Sequence, residues 1–149
     1  MKIRDYRESD YDKLRPLIDA FHRETEDNPE SLKDFYNKGN LKRDYITLVA
    51  EEDHSIVGFI IGQALNKNDF LLLDAYVDIN YRRRGIALKL SEVLLDKVKG
   101  NYKRLLANPI KKESLRLLVD KFNFKALPEK EKNTPRNGKP PYYTYFLML

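Results

Sequence analysis

The chain contains no cysteine, which removes disulfides and thiolate metal sites together. Its histidines, His22 and His54, are too few to suggest a zinc centre, and no metal is expected. No apolar run is long enough to cross a bilayer. The opening residues Met1-Lys2-Ile3-Arg4-Asp5-Tyr6 lack the hydrophobic stretch of a secretion signal, so cytoplasmic residence is the expectation. The common phosphate-gripping motifs are missing too. There is no G-x-x-x-x-G-K-S/T, no G-x-G-x-x-G after a strand, and no acidic residue closing a dinucleotide-binding βαβ unit. Internal repeats and low-complexity stretches are absent.

What is present is an ordinary globular balance, with 42% hydrophobic and 34% charged residues. The 149 residues suit a single domain, 1–149, with a substantial core. Against 23 acidic residues stand 28 basic ones, a net charge of +5. That charge is compatible with an anionic cofactor, with weak nucleic-acid affinity, or with plain solubility. The basic residues are not interleaved with stacking aromatics, so nucleic acid is disfavoured as a partner.

Hydrophobic periodicity lays out the elements. Residues 1–6 alternate as a short strand. Ser9 is expected to cap a helix whose apolar stripe is Tyr11, Leu14, Leu17, Ile18 and Phe21, bent or shortened by Pro16. His22 falls near its end. Residues 30–38 predict a short helix carrying Leu32, Phe35 and Tyr36, stopped by Gly39. Residues 45–51 and 56–65 are strands joined through Glu52-Asp53-His54-Ser55 as a hairpin. Gly58 and Gly62 in the second of them mark a bulge or close packing. Residues 70–79 form a central strand, 86–99 a helix, 103–107 a strand and 113–121 a helix ending in a left-handed cap at Asn123. Strands at 124–127 and 142–149 flank a charged loop at 128–141 that contains proline and glycine.

The central strand carries the first chemical signal. By period two, Leu71, Leu73, Ala75, Val77 and Ile79 share one face, and Leu72, Asp74, Tyr76 and Asp78 the other. An acid inside so apolar a run needs a reason, because a buried charge is costly unless paired. Asp74 is either half of a structural ion pair or a carboxylate facing a cleft.

The strand leads into Asn80-Tyr81-Arg82-Arg83-Arg84-Gly85-Ile86-Ala87-Leu88, and then into a helix. Strand, basic glycine turn and helix make a geometry for gripping phosphate. The first N–H groups of a helix lack intrahelical partners, the dipole makes that end positive, and anions settle there. Gly85 permits an unusual φ and a close backbone approach.

Arg82-x-x-Gly85-x-Ala87 in this setting resembles the R/Q-x-x-G-x-G/A pattern of the GNAT superfamily of acyl-CoA-dependent N-acyltransferases. The order of elements is similar over nearly the whole chain. Local matches are Val49-Ala50-Glu51, Ile56-Val57-Gly58-Phe59 and Leu73-Asp74-Ala75-Tyr76-Val77-Asp78. The resemblance implies an α+β fold of α/β/α layers. Its sheet is mixed and mostly antiparallel, of about seven strands with about four helices, and a V-shaped split opens between strands 4 and 5. It implies acetyl-CoA as co-substrate, with pantetheine bonded by the backbone near Tyr76 and Val77. The pyrophosphate would sit at the turn Arg82, Arg83, Arg84, Gly85, Ile86, Ala87 and Leu88.

The implied activity is an N-acetyltransferase acting by direct transfer to a primary amine of a small molecule or protein. Asp74 matches an acidic position carried by several small-amine acetyltransferases and is the first catalytic candidate. Glu51 is second, and Asp78 reads as structural. The late helix departs from the family's N-x-x-A-x-x-L-Y-x-x-x-G-F. Val119 stands where a tyrosine usually protonates the departing thiolate, and Lys112 where asparagine usually stands. Tyr142, Tyr143 and Tyr145 are the hydroxyls available on the closing strand as substitutes. Val119 also motivates the alternative, a non-catalytic acyl-CoA-binding or regulatory domain. Acetyl-CoA and an amine acceptor are the expected partners, without a membrane; a homodimer stays open.

Overall fold

The computed structural model describes residues 1–25 and 36–149. Most of the helix expected over 30–38 lies outside the described residues. The elements are β1 (Lys2–Asp5), α1 (Tyr11–Glu24), the one-turn α2 (Asn40–Arg43), β2 (Ile46–Glu52), β3 (Ser55–Ala64), β4 (Asp69–Val77), α3 (Ile86–Val98), β5 (Arg104–Ala107), α4 (Lys112–Arg116), β6 (Lys125–Ala126) and β7 (Tyr145–Met148). The strands form one seven-stranded sheet in the order β1-β2-β3-β4-β5-β7-β6. The β1–β2, β2–β3, β5–β7 and β6–β7 ladders are antiparallel, and β4–β5 is parallel, registered from Asp69↔Arg104 to Leu72↔Ala107. The mixed, mostly antiparallel architecture is the expected one.

The chain divides into two compact units. The first comprises Met1–Gly62 and Asp74–Asp96. Its core is built from α1, β2, β3 and α3, with Leu14, Ile18, Leu48, Phe59, Ile60, Ile61, Leu90 and Leu94 buried. The second comprises Gln63–Leu73 and Lys97–Leu149. There Leu71, Leu106 and Leu127 pack together, with Leu65, Leu73, Tyr143 and Phe146 around them.

Local chemistry explains the boundaries. Asp53 and His54 both have positive φ, 50° and 65°, the backbone that a two-residue hairpin loop between twisted strands requires. Asn123, at φ 62°, takes the left-handed cap, and its N–H and that of Phe124 close on the carbonyls of Val119 and Leu118. After Arg116 the last helix widens into a π-type turn over Leu117–Lys121.

Several expectations are corrected. Ser9 does not cap α1: it lies in a 3-10 turn, Glu8–Asp10, across which the Asp10 carboxylate accepts the Arg7 N–H at 2.8 Å, and no side chain among the described residues caps the helix itself. Pro16 does not shorten α1, which runs 14 residues through it. Gly39 precedes a helical turn instead of ending one. Asn37 causes this, because its side-chain oxygen accepts the N–H groups of both Gly39 and Asn40 and makes a turn of residues 37–40. Asp78 leaves the strand, and its carboxylate accepts the Asn80 N–H at 2.8 Å.

Glu51 is also accounted for structurally. The Arg4 guanidinium holds both oxygens of the buried Asp10 at 2.8 and 2.9 Å and reaches Glu51 at 3.0 Å. Arg4 holds the Asp10 carboxyl below the usual aspartate range. A depressed folded-state value means that the pair's stabilisation is complete above the unfolded value and is lost as pH falls through the folded one. Urea titrations are therefore expected to show stability declining below about pH 4, and the Asp10→Asn variant should lose this part of the acid sensitivity. Arg4→Ala, which strands a buried carboxylate, should cost about 3 kcal/mol at neutral pH.

Candidate active site

The first unit brings the end of α1 over the face of β4 that carries Asp74 and Tyr76. Residues i and i+2 of a strand share a face, and α1 meets both. Phe21 stands edge-on to Tyr76 at 6.1 Å and to Phe59 at 6.3 Å. His22, on the same helical face as Ile18, is buried and places its Nε2 3.9 Å from Asp74 Oδ2. That same oxygen accepts a 2.5 Å hydrogen bond from the hydroxyl of Tyr36. The Tyr36 ring lies parallel to His22 with centroids 6.3 Å apart, and Tyr45 meets it edge-on at 5.3 Å. Burial, reinforced by the charge of Asp74, pushes the Tyr36 phenol well above its ordinary range. Tyr45 is raised by the same causes together with Asp44.

Asp74 therefore has company, but not a counter-ion of fixed charge. Among the described residues no lysine or arginine lies within ion-pair distance of it. Its side chain keeps 21% of its surface exposed, and its Oδ1 has no hydrogen-bond partner among the described residues. The His22 Nδ1 is buried without a partner. Because Nε2 is the nitrogen facing the carboxylate, a neutral ring is best arranged with its proton there.

Further along β4, the Tyr76 hydroxyl donates to Glu24 Oε1 at 3.1 Å. Arg82 joins the same group. Its Nε–H donates to the Val77 carbonyl at 2.9 Å, its Nη2 reaches both Glu24 oxygens at 3.1 and 3.2 Å, and its guanidinium lies 5.1 Å from the Tyr76 ring centre. The Nε and Nη2 of Arg82 thus brace α1 against the end of β4. Arg84 stacks on Tyr81 at 5.0 Å and lies 3.8 Å from Glu52. Arg83 is exposed and makes no ion pair among the described residues, so its charge is the uncompensated one of the three.

The turn has the conformation that its glycine suggests. Gly85 sits at φ 77° and Arg83 at φ 66°. The Lys89 N–H closes on the Gly85 carbonyl at 3.0 Å, which leaves the N–H groups of Ile86, Ala87 and Leu88 as the unpaired start of a 13-residue helix. A Cβ built on Gly85 would meet nothing within 4 Å. Gly58 serves a different purpose: a Cβ there would lie 3.1 Å from the Tyr76 carbonyl oxygen and 3.4 Å from the side chains of Val77 and Ile86, so its absence lets β3 pack under the same segment.

The remaining candidates belong to the second unit. Tyr143 packs its ring against the Leu71–Leu106–Leu127 cluster and pairs its backbone with Asn133 at 2.9 and 3.0 Å. Tyr142 lies outside β7 and is half-buried. Neither hydroxyl has a hydrogen bond among the described residues. Val119 is half-buried in the widened turn after α4, its carbonyl bonded by Asn123. Sequence reasoning placed Tyr36 on an apolar stripe and missed its hydroxyl. The available signal was chemical: a tyrosine amid core residues brings a phenol that must find a partner. For Glu24 no comparable signal existed.

This fold is shared with solved acetyltransferases. An acetyltransferase from Streptococcus agalactiae superposes with a TM-score of 0.75 at 19% identity, over 99% of this chain and 98% of that one. A ribosomal-protein-alanine N-acetyltransferase from Brucella melitensis gives 0.67 at 24% identity, over 90% and 98%. The PaiA N-acetyltransferase of Thermoplasma acidophilum, solved in complex with coenzyme A, gives 0.70 at 18% identity, over 99% and 98%. At these identities the likeness carries the fold alone. No curated protein matches the chain in sequence. The family itself is shown directly: residues 6–124 match the acetyltransferase (GNAT) family, and the chain belongs to it. Among the described residues no helix is long and apolar enough to cross a membrane.

Proposed function

We propose that the protein moves an acetyl group from acetyl-CoA to a primary amine, on a small molecule or a protein, by direct transfer in the cytoplasm. The observation that carries this reading is Asp74. In a chain of the acetyltransferase family, a central-strand carboxylate has one oxygen held by Tyr36 and the other without a protein partner among the described residues. An alkyl ammonium has a free pKa of ~10, so most of the acceptor arrives protonated at neutral pH. Asp74 draws the ammonium electrostatically and passes its proton to water, leaving a neutral nucleophile. Holding that nitrogen in place supplies a further share of the rate by proximity.

Bound acetyl-CoA supplies the activated acetyl thioester. Supporting its binding are the unpaired N–H groups of Ile86, Ala87 and Leu88, the open Gly85, the backbone of Arg82, Arg83 and Arg84, and the uncompensated charge of Arg83. Tyr76 and Val77 offer the strand backbone for the pantetheine arm, although the Val77 carbonyl already accepts one bond from Arg82.

Val119, in place of the family's tyrosine, favours the second reading, a non-catalytic acyl-CoA-binding domain. Thiol release from acetyl-CoA decides between them. With a panel of polyamines, aminoglycosides, amino acids and peptides, release is expected to depend on at least one amine. Tight CoA binding with no amine-dependent release across the panel would leave the binding domain as the better account.

A further inference from the structure

We infer that Tyr36 is the positioning residue of Asp74: its hydroxyl fixes one carboxylate oxygen so that the other is presented to the acceptor amine. This rests on the acetyltransferase reading above. Asp74 Oδ2 takes the Tyr36 hydroxyl and faces His22 Nε2, whereas Oδ1 has no partner among the described residues. The carboxylate is thereby divided into a held oxygen and an offered one.

Tyr36 is suited to hold. It is 1% exposed, and the backbone carbonyls at Tyr36 and two residues on are held by side chains. Arg15 donates to the Tyr36 carbonyl at 3.0 Å, and the Tyr6 hydroxyl donates to the Lys38 carbonyl at 3.0 Å. The ring is clamped between the face of His22 and the edge of Tyr45. A phenylalanine would satisfy this packing equally well, so the packing does not account for the hydroxyl. A buried phenol needs an acceptor, and the acceptor here is the strand carboxylate. Because burial and the neighbouring charge keep the phenol protonated, it remains a donor throughout the pH range in which an amine reacts. A hydrogen bond to a charged group in a partly dry site is stronger than a neutral one and orients as well as stabilises.

The experiment has two arms. In the ligand-free protein, proton NMR is expected to show a downfield, slowly exchanging hydroxyl resonance that vanishes in Tyr36→Phe and moves upfield in Asp74→Asn. Absence of such a resonance from the parent protein would overturn the bond and the inference with it. In the second arm, kcat/KM is measured with the panel amine that gives the fastest thiol release. Tyr36→Phe should lower it about tenfold or more, with KM for acetyl-CoA unchanged. In an Asp74→Asn background the same substitution should change it less than about twofold, because the two residues act as one unit. Equal factors in both backgrounds would mean that Tyr36 contributes packing only, and would overturn the inference. If Tyr36→Phe fails to fold, the Asp74→Asn resonance shift decides the bond from the other side. A parent protein with the resonance but no activity toward any amine would instead overturn the acetyltransferase reading, and the positioning role would fall with it.

Discussion

Gly85→Val is expected to weaken coenzyme A binding by roughly a hundredfold or more while the protein stays folded. Two separable effects act at this position. Gly85 has φ 77°, a region that a β-branched residue occupies only under strain of roughly 1–3 kcal/mol. That strain falls on the first turn of α3, where the Gly85 carbonyl accepts the Lys89 N–H. The other effect is occupancy. A Cβ at Gly85 meets no protein atom within 4 Å, so the valine side chain points into open space and not into the core. In the proposed function that space belongs to the pyrophosphate. Losing two charge-assisted contacts there is worth about 3 kcal/mol, or roughly a hundredfold in Kd. Calorimetry on a variant with an intact far-UV spectrum checks this, and Gly85→Ala should fall between parent and valine. Undiminished CoA affinity in a folded Gly85→Val protein would place the phosphates elsewhere.

The glycine turn was legible in the sequence because its constraint is local. A strand ending in an acid, a run of arginines and a glycine before an apolar helix can be recognised without knowing what packs on them. The same holds for the Asp53–His54 hairpin and the Asn123 cap, where the residue types tolerate the positive φ that the backbone needs. The cap expected at Ser9 is not formed, because Ser9 lies inside the 3-10 turn Glu8–Asp10 and the Asp10 carboxylate at the start of α1 is taken by Arg4 and the Arg7 N–H. Long-range partnerships were not legible at all. Arg4 and Glu51 are 47 residues apart, and Tyr36 and Asp74 are 38 apart. Nothing in the neighbourhood of either acid says which donor the sheet and helix will bring to it. Periodicity placed Asp74 on the face opposite Leu71 and Leu73, but whether that face met an arginine, a phenol or solvent depended on tertiary packing. The partner of the Arg82 side chain was not legible for the same reason, since Glu24 is 58 residues away.

Asp74→Asn is expected to lower amine acetylation by about a hundredfold while leaving thermal stability and CoA affinity nearly unchanged. Asparagine is the informative substitution because it keeps an oxygen where Asp74 Oδ2 now accepts the Tyr36 hydroxyl. The charge is lost, and the hydrogen bond and volume remain. Alanine would instead strand a buried phenol, at a cost of about 1–3 kcal/mol, and confuse a folding defect with a chemical one. No arginine or lysine among the described residues depends on Asp74 for its charge balance, so the asparagine variant leaves no orphaned cation behind. Among the described residues the basic side chain facing Asp74 is His22, with its Nε2 at 3.9 Å. If Asp74 draws the ammonium and takes its proton, removing the charge should raise KM for the amine and lower kcat together. It should also shift the pH–rate profile, which reports the essential acid and base groups. A structural carboxylate would give the opposite pattern: a lower melting temperature and an unchanged rate per folded molecule at every pH. That second result would leave the family and fold intact and move the search for the amine's proton acceptor away from β4.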